Sequence, residues 1–262
     1  ADFYIAQKVG SIQEEESQRG LAHFLEHMCF NGTTHFPGDA LKQYLEHIGV
    51  KFGENLNAYT SVDETVYNIS NVPVTMPGSL DSCLLILHDW SNDLTLDPNE
   101  INEEWRTRMS AMQRMQEKML PQMFAGTKYA TCFPIGTMDV VMNFKYQTLR
   151  DYYEKWYRPD LQGIVVVGDI DVDAVEAKIK TMFADIPAQP DAAERIYYPV
   201  NDNKEPIIII EQDKEQPHIQ VLVFNKHDAT PDDQKGNMGY LVQNYATNLI
   251  SSMLNARLNE LT

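Results

Sequence analysis

Apolar positions along this chain repeat with two distinct periods. Over 20–30 they fall at Leu21, Phe24, Leu25 and Met28, the three- and four-residue spacing that lines one helical face. A second helix is predicted over 39–48, stopped at Gly49, and a third after Pro77, with Leu80, Cys83, Leu84 and Leu87 on its apolar side. Pro98 opens a long helix to about residue 119, with Glu100, Glu103 and Glu104 in its first turns, where acidic side chains offset the helix dipole. Further helices are predicted over 147–157, ending at Arg158-Pro159, over 171–183 behind an Asp171 cap, and over 235–259. Runs rich in β-branched and aromatic residues mark strands at 3–9, 55–60, 65–71, 163–168, 207–211 and 218–224.

These helices and strands do not alternate regularly. The fold class expected is α+β, a mostly antiparallel sheet with helices packed on it. Residues 185–206 hold Pro187, Pro190 and Pro199 among many charges, a linker composition. The expected organisation is a first domain over 1–185, a linker over 186–206 and the incomplete start of a second, similar domain over 207–262.

With 262 residues and 43% hydrophobic side chains, the chain has enough apolar surface for a sizeable core. Its net charge of −17 argues against a nucleic-acid or anionic-membrane partner. No stretch approaches the ~18 consecutive apolar residues of a membrane span. Cys29, Cys83 and Cys132 are odd in number and unpaired in spacing, which excludes a disulfide framework and a cysteine zinc site.

The chemistry is concentrated in His23-Phe24-Leu25-Glu26-His27, an H-x-x-E-H motif on the first predicted helix. His23 and His27 are one turn apart, so two imidazoles can reach one metal ion. Glu26 shares that face one step aside, where a carboxylate can touch a water at the metal without binding the metal. Two solvated histidines on an ordinary helix would give the same five residues. The other histidines, His35, His47, His88, His218 and His227, lack ligand spacing and read as surface or satisfied side chains.

Three longer stretches carry a family resemblance. The run from Gly20-Leu21-Ala22-His23 through Met28-Cys29-Phe30-Asn31-Gly32-Thr33 resembles pitrilysin, insulin-degrading enzyme and the mitochondrial processing peptidase, the inverzincin metallopeptidases. So does Asn57-Ala58-Tyr59-Thr60-Ser61. So does the helix–turn–strand Tyr152-Tyr153-Glu154-Lys155-Trp156-Tyr157-Arg158-Pro159-Asp160 with Gly163-Ile164-Val165-Val166-Val167-Gly168 behind it.

The resemblance implies the N-terminal part of a bacterial-type zinc metalloendopeptidase. Zn2+ would be held by His23, His27 and a glutamate from a later helix. Glu104 fits by its Trp105-Arg106 flank and by the 76 residues between it and His27; Glu103 is the alternative. Glu26 would be the catalytic base. Asn57, Ala58 and Tyr59 would form an edge strand on which peptide substrate adds as a further strand. A second homologous half or subunit would close over the peptide, and the setting expected is the bacterial periplasm or cell envelope. The approach to Glu104 is roughly two helical turns shorter than the family pattern: either these turns are lost, which would remove an outer carboxylate that orients the ligands, or a stretch is absent from this sequence. That departure leaves open a non-catalytic, partner-binding homologue.

Overall fold

The computed structural model describes residues 1–96 and 111–260. They form two compact units, Ala1–Pro217 and His218–Thr262. In the first, four strands make one sheet in the order β2-β3-β1-β4: β1 (Asp2–Gln7), β2 (Leu56–Thr60), β3 (Thr65–Ile69) and β4 (Gln162–Val167). All three pairings are antiparallel, with Ile5 opposite Tyr67 and Ile164, and Tyr59 opposite Val66. The fold is the expected α+β arrangement, and β2 and β4 are its edges.

The helices are α1 (Leu21–Met28), α2 (Ala40–His47), α3 (Ser79–Asn92), α4 (Ala111–Met123), α5 (Met138–Asn143), α6 (Tyr146–Trp156) and α7 (Val172–Met182). Period-2 burial along β1 and β3 sends Phe3, Ile5, Tyr67 and Ile69 to one side of the sheet. Leu21, Leu25, Leu84, Leu87 and Trp90 of α1 and α3 join them in a single core. Full burial of a leucine such as Leu25 is the kind of packing whose truncation to alanine costs ~2–5 kcal/mol.

Several buried polar groups in this core are paired. The Trp90 indole donates to the Cys29 carbonyl at 2.9 Å, fastening α3 to the C-terminus of α1. Tyr67 and Tyr157 share a hydroxyl–hydroxyl hydrogen bond at 2.7 Å, and Tyr152 donates to the Gly10 carbonyl at 2.9 Å. All three cysteines are free and buried. Burial pushes the Cys83 and Cys132 thiols up, to about 12 and about 11, so neither is a ready nucleophile.

The segment expected to be a linker is tied to the first unit. Arg158 donates to the Ala193 carbonyl at 2.7 Å and Arg195 to the Lys8 carbonyl at 2.8 Å. Two expected strands, 207–211 and 218–224, do not form. Their apolar side chains, among them Ile208, Ile210, Ile219 and Val223, are exposed. A strand requires a neighbour to take its N–H and C=O groups, and no strand among the described residues pairs with either segment. Short helix α5 lies between the helices predicted to about 119 and from 147, where no element is predicted.

The second unit holds α8 (Asp232–Lys235) and α9 (Met238–Asn259). Asn237 caps α9 by accepting from the Tyr240 amide at 2.9 Å, and no residue of that helix is buried.

Candidate metal centre

Helix α1 starts at Gly20, whose φ of +102° lies in the left-handed region. A Cβ there would stand 2.7 Å from Val141 Cγ2 and 2.8 Å from the Ile135 carbonyl oxygen, so glycine is required on both counts. With no cap from its own side chain, the helix N-terminus takes one from a distance. Both carboxylate oxygens of Glu14 accept from the Gly20 amide at 3.0 Å, and Oε1 accepts from the Ala22 amide at 2.7 Å. Glu14 thus satisfies N–H groups that the first turn leaves without helical partners. Burial pushes its carboxyl up to about 8, against the opposing pull of those two amides and of Lys128 and Arg19. Sequence reading missed Glu14, because a cap contributed from outside the helix has no local motif.

Leu21, Leu25 and Met28 are buried, while His23 and His27 are partly exposed on the other side of α1. His23 Nε2 and His27 Nε2 lie 3.2 Å apart. That separation is close to an edge of a tetrahedral shell with ~2.0–2.1 Å metal–nitrogen bonds. Glu26, 6% exposed, brings a carboxylate oxygen within 4.8 Å of both imidazole nitrogens. Two imidazoles and a nearby carboxylate suit a borderline divalent ion such as zinc. Glu103 and Glu104, the two candidates for a further ligand, lie outside the described residues.

Strand β2 runs beside α1. Thr60 Oγ1, on its last residue, donates to Glu26 Oε2 at 2.6 Å. The sequence placed Thr60 in the strand but gave no sign of this contact. The Ser61 amide donates to the Glu64 carbonyl and the Ser70 amide to the Asn55 carbonyl, which fixes the ladder. In an antiparallel pair the bonded positions alternate, so Asn57 and Tyr59 bond β3 while the Ala58 N–H and C=O turn outward to the open edge. Tyr59 is 51% exposed and its hydroxyl donates to Glu64 at 2.7 Å; Asn57 is exposed as well.

A helix presenting two histidines and a glutamate beside an open sheet edge matches the architecture of metallopeptidases with the inverted zincin motif. The chain belongs to the insulinase family, peptidase family M16. The description of that family matches residues 4–133, and that of the peptidase M16 inactive domain matches 143–259. Over 195 residues it is 39% identical to "Probable zinc protease PqqL" of Escherichia coli strain K12, covering 72% of this chain and 21% of the relative. It is 35% identical to the "Zinc protease PQQL-like" protein of Arabidopsis thaliana, covering 78% of this chain and 22% of that one. The crystal structure of the first half of the periplasmic protease PqqL from Escherichia coli superimposes with a TM-score of 0.69 at 37% identity, covering 77% of this chain and 44% of that one. The chain spans about a fifth of the length of the curated relatives it matches.

Proposed function

We propose that this chain is the metal-bearing part of a zinc-dependent endopeptidase that hydrolyses extended peptides or small unfolded proteins. The observation that carries the reading is the pair of imidazole nitrogens 3.2 Å apart with the Glu26 carboxylate beside them. His23, His27 and Glu104 would hold the zinc. When bound there, zinc supplies Lewis-acid polarisation of the scissile carbonyl and lowers the pKa of water toward ~7. Glu26 takes the proton of the attacking water and passes it to the leaving amine. Thr60 holds the Glu26 carboxylate in its orientation through the 2.6 Å hydrogen bond.

The outward N–H and C=O of Ala58 pair with the substrate backbone, and Asn57 and Tyr59 flank that contact. A substrate read through its backbone is chosen for being extended rather than for its side chains. On this reading residues 1–185 form the peptidase domain, 186–206 a connecting segment, and 207–262 the start of a second, similar domain. A homologous second half would face the sheet edge across the peptide. The Escherichia coli relative is described as periplasmic, which supports the periplasm or cell envelope as the setting.

The deciding experiment is Glu26→Gln with zinc content and peptide hydrolysis measured together. The expected result is unchanged zinc and a loss of hydrolysis of roughly 10²–10⁴-fold. Loss of zinc in this variant would make Glu26 a ligand and overturn the assignment of roles. Undiminished hydrolysis would remove Glu26 from the chemistry.

A further inference from the structure

A second cluster of metal-ligand side chains lies at the C-terminal end of α3, on residues distinct from those of the α1 centre. His35 Nδ1 is 2.7 Å from Asp89 Oδ1. His88 Nδ1 is 3.2 Å from Asp93 Oδ2 and 3.8 Å from Asp89 Oδ1. Ligand atoms of His35, Asp89 and Asp93 all fall within 4.8 Å of one another. The His88 side chain is 5% exposed, and its Nδ1 is buried without a hydrogen bond while aimed at the two carboxylates. With Nε2–H donated to Asp185, Nδ1 would turn a lone pair to two carboxylates, an unfavourable arrangement that a cation between them removes.

The surroundings orient these groups as metal ligands are oriented. His88 Nε2 pairs with Asp185 Oδ1 at 3.0 Å, which leaves Nδ1 as the coordinating nitrogen. Asp89 Oδ2 accepts from the Thr33 hydroxyl and, at 3.1 Å, from the His35 amide, so Oδ1 is the oxygen turned to the two imidazoles. Asp89 is fully buried, so this carboxylate is costly without positive charge nearby.

We propose that His35, His88, Asp89 and Asp93 form a structural binding site for a divalent transition-metal ion of the zinc type. Two imidazoles and two carboxylates make a neutral site around a dication. Two nitrogen donors favour zinc, cobalt or nickel over calcium or magnesium, which take oxygen. With all four as ligands the tetrahedral shell would be complete and leave no position for substrate, so the site would be a closed, structural one. The ion would clip the loop Thr33–Phe36, which follows the H-x-x-E-H helix, to the end of α3.

Cobalt(II) is the probe, because tetrahedral coordination gives it strong visible absorption. In the chain carrying His23→Ala and His27→Ala, one equivalent of cobalt should bind with that absorption. Adding Asp93→Asn, or separately His35→Ala at a position 47% exposed, should abolish it with circular dichroism unchanged. In the otherwise unaltered chain, Asp93→Asn should lower bound metal by one equivalent relative to wild type. Absence of the cobalt band in the folded His23→Ala, His27→Ala chain would overturn the proposal. So would metal content unaltered by both Asp93→Asn and His35→Ala.

Discussion

Thr60 Oγ1 donates a 2.6 Å hydrogen bond to Glu26 Oε2, joining the last residue of edge strand β2 to the last turn of α1. A hydrogen bond to a charged acceptor contributes ~1.5–3 kcal/mol. Thr60→Val keeps the shape and removes the donor. The expected outcome is unchanged zinc content with kcat lowered about tenfold to a hundredfold. An unchanged kcat, measured at saturating peptide, would show that Thr60 does not orient the base.

Successive residues of a helix point ~100° apart, so only one of Glu103 and Glu104 is expected to serve as the third ligand. Glu104→Ala should lower zinc affinity strongly, and Glu103→Ala should leave it near wild type. Metal titration of the two variants in competition with a chelator checks this. The reverse ranking would move the ligand to Glu103.

Glu14 predicts an unusual pH dependence. Burial holds its carboxyl at about 8 in the folded chain, against the ordinary glutamate value of 4.5. Between those two values the unfolded chain has lost the proton and the folded chain retains it. Its contribution is therefore fully favourable below about 4.5 and is progressively lost as the pH rises through about 8. The difference is on the order of a few kcal/mol. Urea unfolding at pH 6 and pH 8 should show a loss of stability in wild type that Glu14→Gln reduces. Equal pH slopes in the two proteins would contradict it.

Autonomy of the chain is the fourth test. A peptide held by the edge of β2 alone gains a few backbone hydrogen bonds, each contributing ~0.5–1.5 kcal/mol net. A homologous half facing that edge would exclude water from the metal. The isolated chain should hydrolyse an unstructured peptide poorly, and adding the rest of the protein should raise the rate. Full turnover by the chain as a monomer would show that this part is sufficient.

Much of this was legible in the sequence because the signals are local. The 3.6-residue period from Leu21 to Met28 gave α1 and its buried side, and the same helix geometry put His23, Glu26 and His27 together. β-branched and aromatic runs gave β1 to β4 to within a few residues. What the sequence hid depends on contacts between distant residues. Glu14 reaches α1 across a turn, and Thr60 reaches Glu26 from another element. His35 and His88 lack ligand spacing in the sequence, yet a loop and a helix bring both toward the same carboxylate, Asp89. The failed strands at 207–211 and 218–224 make the converse point: β-propensity without a pairing partner leaves apolar chain in solvent.

The central place of β1 has a consequence for how the chain reaches this state. β1 precedes β3 and β4 in the chain, yet Asp2 pairs with Val167 and Phe3 with Ile69. Such long-range pairing costs loop-closure entropy before it gives any stability, and it slows folding. During synthesis one edge of β1 can pair with β3 early, but the other must wait, unpaired, until β4 has left the ribosome. The two histidines exist early, but the sheet that fixes their helix closes late. Metal capture should therefore follow assembly of the sheet rather than nucleate it.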